Sequence, residues 1–572
     1  MQTLLSPYSC LRAPLFALLA VVTALPLSAQ SSQSLYPPIT TTGTSLEVTA
    51  DPLVARPRTK HCEVTLLTNQ AFADFSNKNF NFTPPADCPG PWSKVIFTGD
   101  FSIQSGRQFD RTGQVFLGGV NIYFGTTAEP LKTETDTWHV ERDLTDYASL
   151  FKSPQTGYAS LGNLVNDTYT STIFGTFKLE FYQADFGNPA PRTADLVLGL
   201  PDNNTATLNA TTPELTQTFS LPTNVEGAYL DVFPESQFLE EQWFFCLPDA
   251  LENLVGCGNT GFRQVNVSID GKPAGVAPVF PWIYTGGVDP GLWKPIPGVQ
   301  TLNFAPYRVD LTPFAGVLSN GQQHTVGVTV FNAFDHFSTT AALLIFEDHG
   351  SSHVTGAVTE DTLTDPNPTV VNNATFDSSG NGGGPITVTS SQSYTIAGYV
   401  NTSHGRVNTK VEGNVNFSNA QTLTSTATTF GQSLVQTSTV NQKTTTQDGF
   451  LFTTKENKVS FPITIDYLET LESNGNIGQV STSDQTYQRS ESDSLEGFPI
   501  FQSNVKNEVS SGDTATFVAQ PGGGFALGPN SNQSSKQTYV YKDTFGHCYS
   551  RELQAANNIL DTVTDGQGCH QH

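Results

Sequence analysis

The stretch Ser105-Gly106-Arg107-Gln108-Phe109-Asp110-Arg111 stands directly before an apolar run, Val115-Phe116-Leu117-Gly118-Gly119-Val120. The run predicts a β-strand, whose alternation would place Asp110 and Arg111 at its mouth, on opposite faces. An aspartate beside a rigid guanidinium can stay ionised in a partly dry cleft, as a carboxylate base must. A surface ion pair at a strand end is the alternative interpretation.

The beginning of the chain has the pattern of a secretion signal. Arg12 precedes the apolar run Leu15–Val22, and Leu27-Ser28-Ala29 offers a cleavage site made of small residues. The run is too short for a stable membrane span. We therefore predict a signal peptide over residues 1–29 and a mature protein that is secreted or periplasmic.

Composition favours an all-β protein. The 572 residues include 48 Gly and 35 Pro, and only 14% are charged, which fits many strands joined by turns. The formal net charge of −25 argues against nucleic acid and against anionic membranes as partners.

Shifts in composition divide the chain. A polar, Pro/Thr-rich segment at 30–60 is expected to be flexible. Strand-like patterns then predict β-sandwich domains at 61–190 and, with a connecting segment, at 191–348. Residues 349–384 end in a Gly-rich run and predict a linker. From 385 to 572 the alternation of apolar and polar residues predicts a third β domain with one wet face.

Six of the seven cysteines remain after the predicted cleavage, and they fall into three close pairs. Proximity in an oxidising compartment favours the disulfides Cys62–Cys88, Cys246–Cys257 and Cys548–Cys569. The cysteines lack zinc-site spacing, and no ligand spacing recommends His336, His349 and His353 as a metal site.

Glu240 and Glu241 lie beside Trp243 and Phe244. Two neighbouring acids among aromatics would raise a carboxyl pKa through desolvation and mutual repulsion, which keeps an acid protonated for proton donation. Solvated acids at a strand end are the alternative. The loop Tyr284–Pro295 holds a further aromatic, Trp293, which either stacks on a sugar or covers a core.

Several linked motifs carry a family resemblance. From about Cys62 to Phe346 the sequence resembles the peptide-N4-(N-acetyl-β-glucosaminyl)asparagine amidase A family. The matching segments are Gly106-Arg107-Gln108-Phe109-Asp110-Arg111, Leu117-Gly118-Gly119-Val120, Thr127-Ala128-Glu129-Pro130, Leu161-Gly162-Asn163-Leu164, Thr168-Tyr169-Thr170, Thr285-Gly286-Gly287 and Leu292-Trp293.

The resemblance implies a fold of two packed jelly rolls with a cleft between them, followed by the C-terminal β domain. It implies an amidase that releases N-glycans from asparagine in glycopeptides and glycoproteins, and no cofactor. We expect a monomer that works at acidic pH. A glycan-binding protein without catalysis is the alternative, since fold alone does not decide function.

The resemblance also assigns site residues. It implies that Asp110 acts as base or nucleophile and that Arg111 holds Asp110 or a substrate oxygen. Glu241 is the first choice for a second-domain acid, with Glu240 and Glu235 left open. More distant relatives have a first-domain acid near Asn163 and Asp167, where this chain differs, so the number of catalytic carboxylates stays open. Asn163, Trp243 and Trp293 are expected to contact substrate.

Overall fold

The structure, a computed structural model, describes residues 35–37 and 41–569. The predicted signal peptide lies outside the described residues. Within those residues, no helix is long and apolar enough to cross a membrane. The chain is built from antiparallel sheets, which confirms the predicted all-β class.

The first domain is an eight-stranded sandwich. One sheet has the order β1-β8-β3-β6 and the other β2-β7-β4-β5, which is the order that two Greek keys give to a jelly roll. The strands are β1 (His61–Phe72), β2 (Lys78–Phe82), β3 (Trp92–Ile103), β4 (Thr112–Leu117), β5 (Val120–Thr126), β6 (Asp136–Asp143), β7 (Gln155–Leu161) and β8 (Ile173–Gln183), with a 3₁₀ helix over Thr145–Phe151.

Alternation of side chains builds the core of this domain. In β8 the side chains of Ile173, Phe177, Leu179 and Phe181 point inward, while the alternate residues Phe174, Thr176, Lys178 and Glu180 are partly exposed. The single strand predicted from the run Val115–Val120 is instead part of the hairpin β4–β5. Gly118 and Gly119 both have positive φ, at 54° and 86°, so they turn the chain where a strand would continue.

The second domain repeats the same jelly-roll order. Its sheets are β10-β17-β12-β15, with β9 also paired to β17, and β11-β16-β13-β14. The strands are β9 (Leu196–Leu200), β10 (Ala206–Leu208), β11 (Glu214–Ser220), β12 (Val225–Ser236), β13 (Gln264–Ile269), β14 (Lys272–Pro278), β15 (Tyr307–Asp310), β16 (Gln323–Phe331) and β17 (Phe337–Glu347).

Short helical turns connect these strands. They are 3₁₀ helices at Phe238–Glu240, Trp243–Phe245, Asp249–Leu254, Pro290–Trp293 and Thr312–Phe314, and an α-helical turn at Ala315–Leu318. Asp270 and Gly271 form the turn of the hairpin that joins β13 to β14, and both have the positive φ, 52° and 73°, that a type I′ turn requires.

The third domain is a single antiparallel sheet of twelve strands. Its long hairpins run in chain order, and the inner face packs on the second jelly roll, for example through Phe280 and Phe461, whose ring centroids are 4.9 Å apart. The strands are β18 (Thr355–Asp361), β19 (Thr369–Asn372), β20 (Thr375–Phe376), β21 (Gly382–Thr402), β22 (Gly405–Ser425), β23 (Thr429–Asp448), β24 (Leu451–Leu471), β25 (Ile477–Leu495), β26 (Phe498–Ala519), β27 (Phe525–Asp543), β28 (Cys548–Ala556) and β29 (Ile559–Asp565), followed by a 3₁₀ helix at Gln567–Cys569.

Two connecting segments differ from their predicted character. Residues 349–384, predicted as a linker, contain β18, β19 and β20, which all pair with β21. The described part of 30–60 is a strap fixed by specific contacts: Val48 N–H donates to Pro295 O (2.8 Å), and Arg56 pairs with Glu141 (2.6 Å) and Glu180 (2.8 Å). The polar composition of the segment did not indicate these contacts, because they depend on partners that are distant in sequence.

The cysteine predictions are confirmed. The structure has disulfides Cys62–Cys88, Cys246–Cys257 and Cys548–Cys569. Each closes a local loop in a different domain, the middle one immediately after the segment that carries Glu240 and Glu241.

The two jelly rolls are joined by backbone pairing and by aromatic packing. Thr126 N–H donates to Thr301 O (2.9 Å), and Phe304 N–H donates to Phe124 O (2.8 Å). The ring of Phe124 lies 5.4 Å from that of Phe304 and 5.8 Å from that of Phe233. These contacts fix the end of β5, and therefore the loops beside it, against the second domain.

Candidate active site

Asp110 lies at the junction of the two jelly rolls, in the loop before β4. Its carboxylate accepts the backbone N–H of Gly286 from the second domain (3.2 Å), and its own N–H donates to the carboxylate of Glu129 (3.2 Å). The side chain is partly exposed. Asp110 therefore has a fixed orientation and keeps access to solvent.

Gly286 is a glycine because two carboxyl groups crowd it. A Cβ at this position would lie 2.4 Å from an oxygen of Glu129 and 3.3 Å from one of Asp110. The loop is held by Thr285, whose hydroxyl donates to Thr127 O across the domain junction (2.9 Å). Any side chain at 286 would displace the carboxylates that this loop positions.

Glu235, at the end of β12, is a buried member of the same group. The hydroxyl of Thr112 donates to one carboxyl oxygen (2.7 Å), and Nε2 of Gln237 donates to the other (2.8 Å). Because Thr112 belongs to the first domain, this carboxyl connects the two jelly rolls. Its side chain is fully buried, so its carboxyl group is closed off from solvent.

Glu241 has the opposite environment. Its side chain is partly exposed, and its carboxyl group makes no hydrogen bond to any residue that the structure describes; only its backbone carbonyl is fixed, by the Ser236 hydroxyl (2.9 Å). Of the three second-domain candidates, Glu241 is thus the one with a free carboxyl group facing the other acids.

Burial and crowding keep protons on this carboxyl cluster, which comprises Asp110, Glu129, Glu235 and Glu241. Burial first, then the charges of Asp110, Glu235 and Glu129, raises the pKa of Glu241 to about 8. Burial raises the pKa of Glu235 to about 8, and burial with the charge of Asp110 raises the pKa of Glu129 to about 7. The expected raised pKa at Glu241 is present, but repulsion from Glu240 is not among its causes.

The prediction that Arg111 keeps Asp110 unusually acidic is wrong. Burial raises the pKa of Asp110 above its ordinary value and outweighs the lowering by the Gly286 N–H and by Arg111. The Arg111 guanidinium lies over the rings of Phe109 (5.7 Å) and Tyr169 (5.6 Å). Its Nε is buried and has no hydrogen-bond partner among the described residues.

A second arginine completes this face of the site. Arg107 lies 5.4 Å from the ring centroid of Phe109 and 5.7 Å from that of Tyr169, and the two rings meet edge-on at 5.5 Å. We call Arg107, Phe109, Arg111 and Tyr169 the arginine–aromatic wall. Neither guanidinium is paired with a carboxylate of the described chain, so both have donors free for a ligand.

Glu240 does not belong to the site. It is buried in an ion pair with Arg263 (2.6 Å) and also accepts the backbone N–H groups of Phe334 (2.9 Å), Asp335 (2.8 Å) and His336 (3.1 Å). All of its acceptor capacity serves the fold, which contradicts a catalytic role.

Three residues expected to contact substrate are buried. Trp243 packs in the core against Phe417, and Trp293 donates its indole N–H to Gly287 O (2.8 Å). Asn163 donates to Phe72 O (2.8 Å) and Ser171 O (3.1 Å). None of the three side chains reaches the surface of the site. Trp293 and Asn163 instead fix the loops that carry Gly286 and the arginine–aromatic wall.

Sequence reasoning missed Glu129 as a member of the site and gave no role to Gly286. Both lie in motifs that the sequence already singled out, Thr127-Ala128-Glu129-Pro130 and Thr285-Gly286-Gly287. Glu129 is thus an acid of the first domain that lies within the cluster, whereas Asn163 does not. Among the described residues no group of His, Cys, Asp and Glu is arranged to hold a metal ion, and His349 is engaged by Asp195 (2.8 Å).

Replacing Glu240 by Gln is expected to destabilise the fold by about 3–5 kcal/mol, because it leaves the Arg263 guanidinium buried without its counter-charge. Urea unfolding measures the loss. The matched control is Glu412→Gln, which removes a surface pair with Lys410 and should cost less than about 1 kcal/mol. Equal stability of the Glu240→Gln variant and the wild type would contradict the buried ion pair.

Stability is expected to be higher at pH 5 than at pH 8. The folded-state pKa values of Glu235, Glu241 and Glu129 lie above those of the unfolded chain, so their favourable contribution is complete at low pH and is lost as pH rises through about 7 to about 8. Thermal unfolding across this range measures the effect. Glu235→Gln should flatten the dependence, and a melting temperature that rises from pH 5 to pH 8 would contradict it.

The part of the chain that contains this site is also the part that matches known proteins. The family model described as peptide N-acetyl-beta-D-glucosaminyl asparaginase amidase A matches residues 52–361, which hold both jelly rolls and the whole carboxyl cluster. The peptide-N4-(N-acetyl-beta-glucosaminyl)asparagine amidase A of Prunus dulcis is 33% identical over 392 residues, which cover 64% of this chain and 67% of that protein.

Solved structures give fainter likenesses. PNGF-II has a TM-score of 0.36 at 12% identity, over 50% of this chain and 65% of its own. PNGase F, a glycosylasparaginase from Flavobacterium meningosepticum, has a TM-score of 0.32 at 13% identity, over 50% of this chain and 96% of its own. These scores are too low to bear on function. With its family model matched over more than half of its length, the chain belongs to the peptide N-acetyl-β-D-glucosaminyl asparaginase amidase A family.

Proposed function

We propose that this protein hydrolyses the amide bond between the first N-acetylglucosamine of an N-glycan and asparagine, in glycopeptides and glycoproteins. The observation that carries the proposal is that Asp110, from the first jelly roll, and Glu241, from the second, share one carboxyl cluster within the matched family region. One of these acids has a fixed orientation and the other has a free, protonated carboxyl group.

The proposed chemistry divides base and acid between the two domains. Asp110, ionised above its own pKa, takes a proton from water, whose oxygen attacks the asparagine side-chain carbonyl carbon. Glu241, protonated below about pH 8, gives its proton to the leaving nitrogen as the C–N bond breaks. The products are a peptide with aspartate in place of asparagine and a glycosylamine, which then loses ammonia to water.

Arg111 is suited to stabilise the oxygen that gains negative charge. Its guanidinium forms no ion pair with a described carboxylate, and stacking on Phe109 and Tyr169 limits its movement. A pre-oriented donor of this kind stabilises the charge that develops in a tetrahedral intermediate. Direct attack by Asp110 on the carbonyl carbon is the other route open to this carboxylate.

The proposed setting is an acidic, oxidising compartment outside the cytoplasm. Three disulfides are typical of exported proteins. The carboxyl cluster holds both an ionised and a protonated acid only below about pH 8. Both features support export and an acidic working range.

Incubation with one glycopeptide, followed by mass spectrometry of both products, tests the proposal. We expect the intact oligosaccharide and a peptide in which asparagine has become aspartate, with one ¹⁸O atom when the reaction is run in H₂¹⁸O. A peptide that keeps one sugar would identify a glycoside hydrolase. Binding without cleavage would identify a glycan-binding protein.

A further inference from the structure

The 3₁₀ turn at Phe238–Glu240 presents two apolar side chains to solvent beside the carboxyl cluster. Phe238 is 70% exposed and Leu239 is 61% exposed. Along the chain the turn lies between two members of the cluster, three residues after Glu235 and directly before Glu241. We call Phe238 and Leu239 the apolar shelf.

The backbone at the shelf is strained. Phe238 has φ = 53°, the left-handed region that a bulky side chain rarely adopts and that glycine or asparagine normally occupies. The same residue exposes its aromatic ring to solvent instead of burying it. Strain of this kind persists where the surrounding structure enforces it, and it clusters at ligand sites.

Several contacts enforce the turn. Gln237 N–H donates to His336 O (3.0 Å), and Leu239 N–H donates to a carboxylate oxygen of Asp335 (3.3 Å). Glu240 binds the backbone of this same 334–336 segment through its buried carboxylate. The buried carboxylate of Glu240 thus fixes the turn that carries Phe238 and Leu239, although these two side chains bury little surface themselves. Their exposure therefore follows from contacts elsewhere in the fold.

The shelf is also connected to the chemistry by hydrogen bonds. The Gln237 side chain donates both to Glu235 (2.8 Å) and to the hydroxyl of Thr112 (3.0 Å), which lies two residues after Asp110. The residue before the shelf is therefore connected by its side chain to Glu235 and to the strand that follows Asp110.

The two sides of the site differ in chemistry, and so do the two arms of the substrate. The arginine–aromatic wall offers unpaired guanidinium donors, which suit the hydroxyl and acetamido groups of a sugar. The shelf offers apolar surface, with the His336 ring 4.9 Å from Phe238. Apolar side chains occur on the polypeptide arm of an N-glycosylated substrate and not on its sugars.

We propose that Phe238 and Leu239 bind an apolar side chain of the polypeptide next to the glycosylated asparagine, so that the enzyme selects the sequence around the glycan as well as the glycan. This inference rests on the proposed function. It assigns the shelf to substrate specificity, through binding energy obtained by burying apolar surface outside the reacting bond.

Two substrates with the same glycan test the inference. One is a single glycosylated asparagine with blocked ends, and the other is a peptide with apolar residues on both sides of that asparagine. Phe238→Ala is expected to raise KM for the peptide about tenfold, as loss of a partly buried aromatic contact does, and to leave the blocked asparagine unchanged. Phe186→Ala, in the exposed loop after β8, is the matched control and should change neither.

The outcomes separate this inference from the proposed function. A KM that rises equally for both substrates would mean that the shelf contacts the glycan, and no change for either would mean that it contacts neither; both results overturn the inference and leave the proposed function standing. A wild-type protein that cleaves neither substrate overturns both.

A stability measurement checks the geometry independently. Because Phe238 has positive φ, Phe238→Gly should melt at a higher temperature than Phe238→Ala, the reverse of the usual order, while both variants lose the peptide contact equally. A more stable alanine variant would contradict the strained turn.

Discussion

Asp110→Asn is expected to lower kcat/KM by about a hundredfold or more while the protein stays folded. The asparagine side chain has the same shape, and its amide oxygen can still accept the Gly286 N–H that orients the aspartate. It cannot take a proton from water at working pH, nor attack a carbonyl carbon. Initial rates on one glycopeptide, measured below neutrality, give the loss.

Asp100→Asn is the matched control for this variant. Asp100 is a solvent-exposed aspartate on β3 of the same jelly roll, where it pairs with His139, and it has no contact with the carboxyl cluster. Its replacement should leave the rate unchanged. Near-normal turnover by Asp110→Asn, with both variants folded, would remove Asp110 from the mechanism.

Glu241→Gln is expected to give the second large loss, again about a hundredfold. Glu241 has the free carboxyl group of the cluster, and its pKa of about 8 keeps it protonated in the working range. Glutamine fills the same space but has no proton to give to the leaving nitrogen. The loss should appear in kcat, because the proton is needed only as the C–N bond breaks.

The neighbouring residue supplies the contrast. Glu240→Gln should reduce stability, and its remaining folded fraction should keep a near-normal kcat, since Glu240 binds Arg263 and backbone rather than substrate. Full kcat in Glu241→Gln together with its loss in Glu235→Gln would assign the proton donor to Glu235 instead.

Local pattern predicted much of the architecture. Segments in which apolar and polar residues alternate form strands in the structure, as in β13 over Gln264–Ile269. The cysteines that are close in sequence form the disulfides. The 349–384 segment was predicted wrongly because its strands are short and polar and are stabilised by β21, the strand that follows them. Composition alone does not distinguish such edge strands from a linker.

The site was predictable only in part, because burial decides whether a side chain can contact a substrate, and sequence does not show which side chains are buried. A glutamate and a tryptophan near each other look the same in sequence whether they meet a sugar or a core. Trp243 and Glu240 are both buried, and Glu240 is neutralised by Arg263, a partner more than twenty residues away. The sequence did not reveal Glu129 as a member of the cluster, because its neighbours in the structure are distant in sequence. Asp110 comes from another loop and Gly286 from another domain.

The pH dependence of kcat/KM tests most directly the claim that one junction of two jelly rolls holds both base and acid. Measured on a single glycopeptide from about pH 3 to about pH 10, it reports the ionisations of the free enzyme. We expect a bell centred below neutrality, with an acidic limb from Asp110 and an alkaline limb near pH 8 that disappears in Glu241→Gln. A wild-type rate that keeps rising above about pH 8 would contradict the account, because Glu241 would then be ionised and unable to donate a proton.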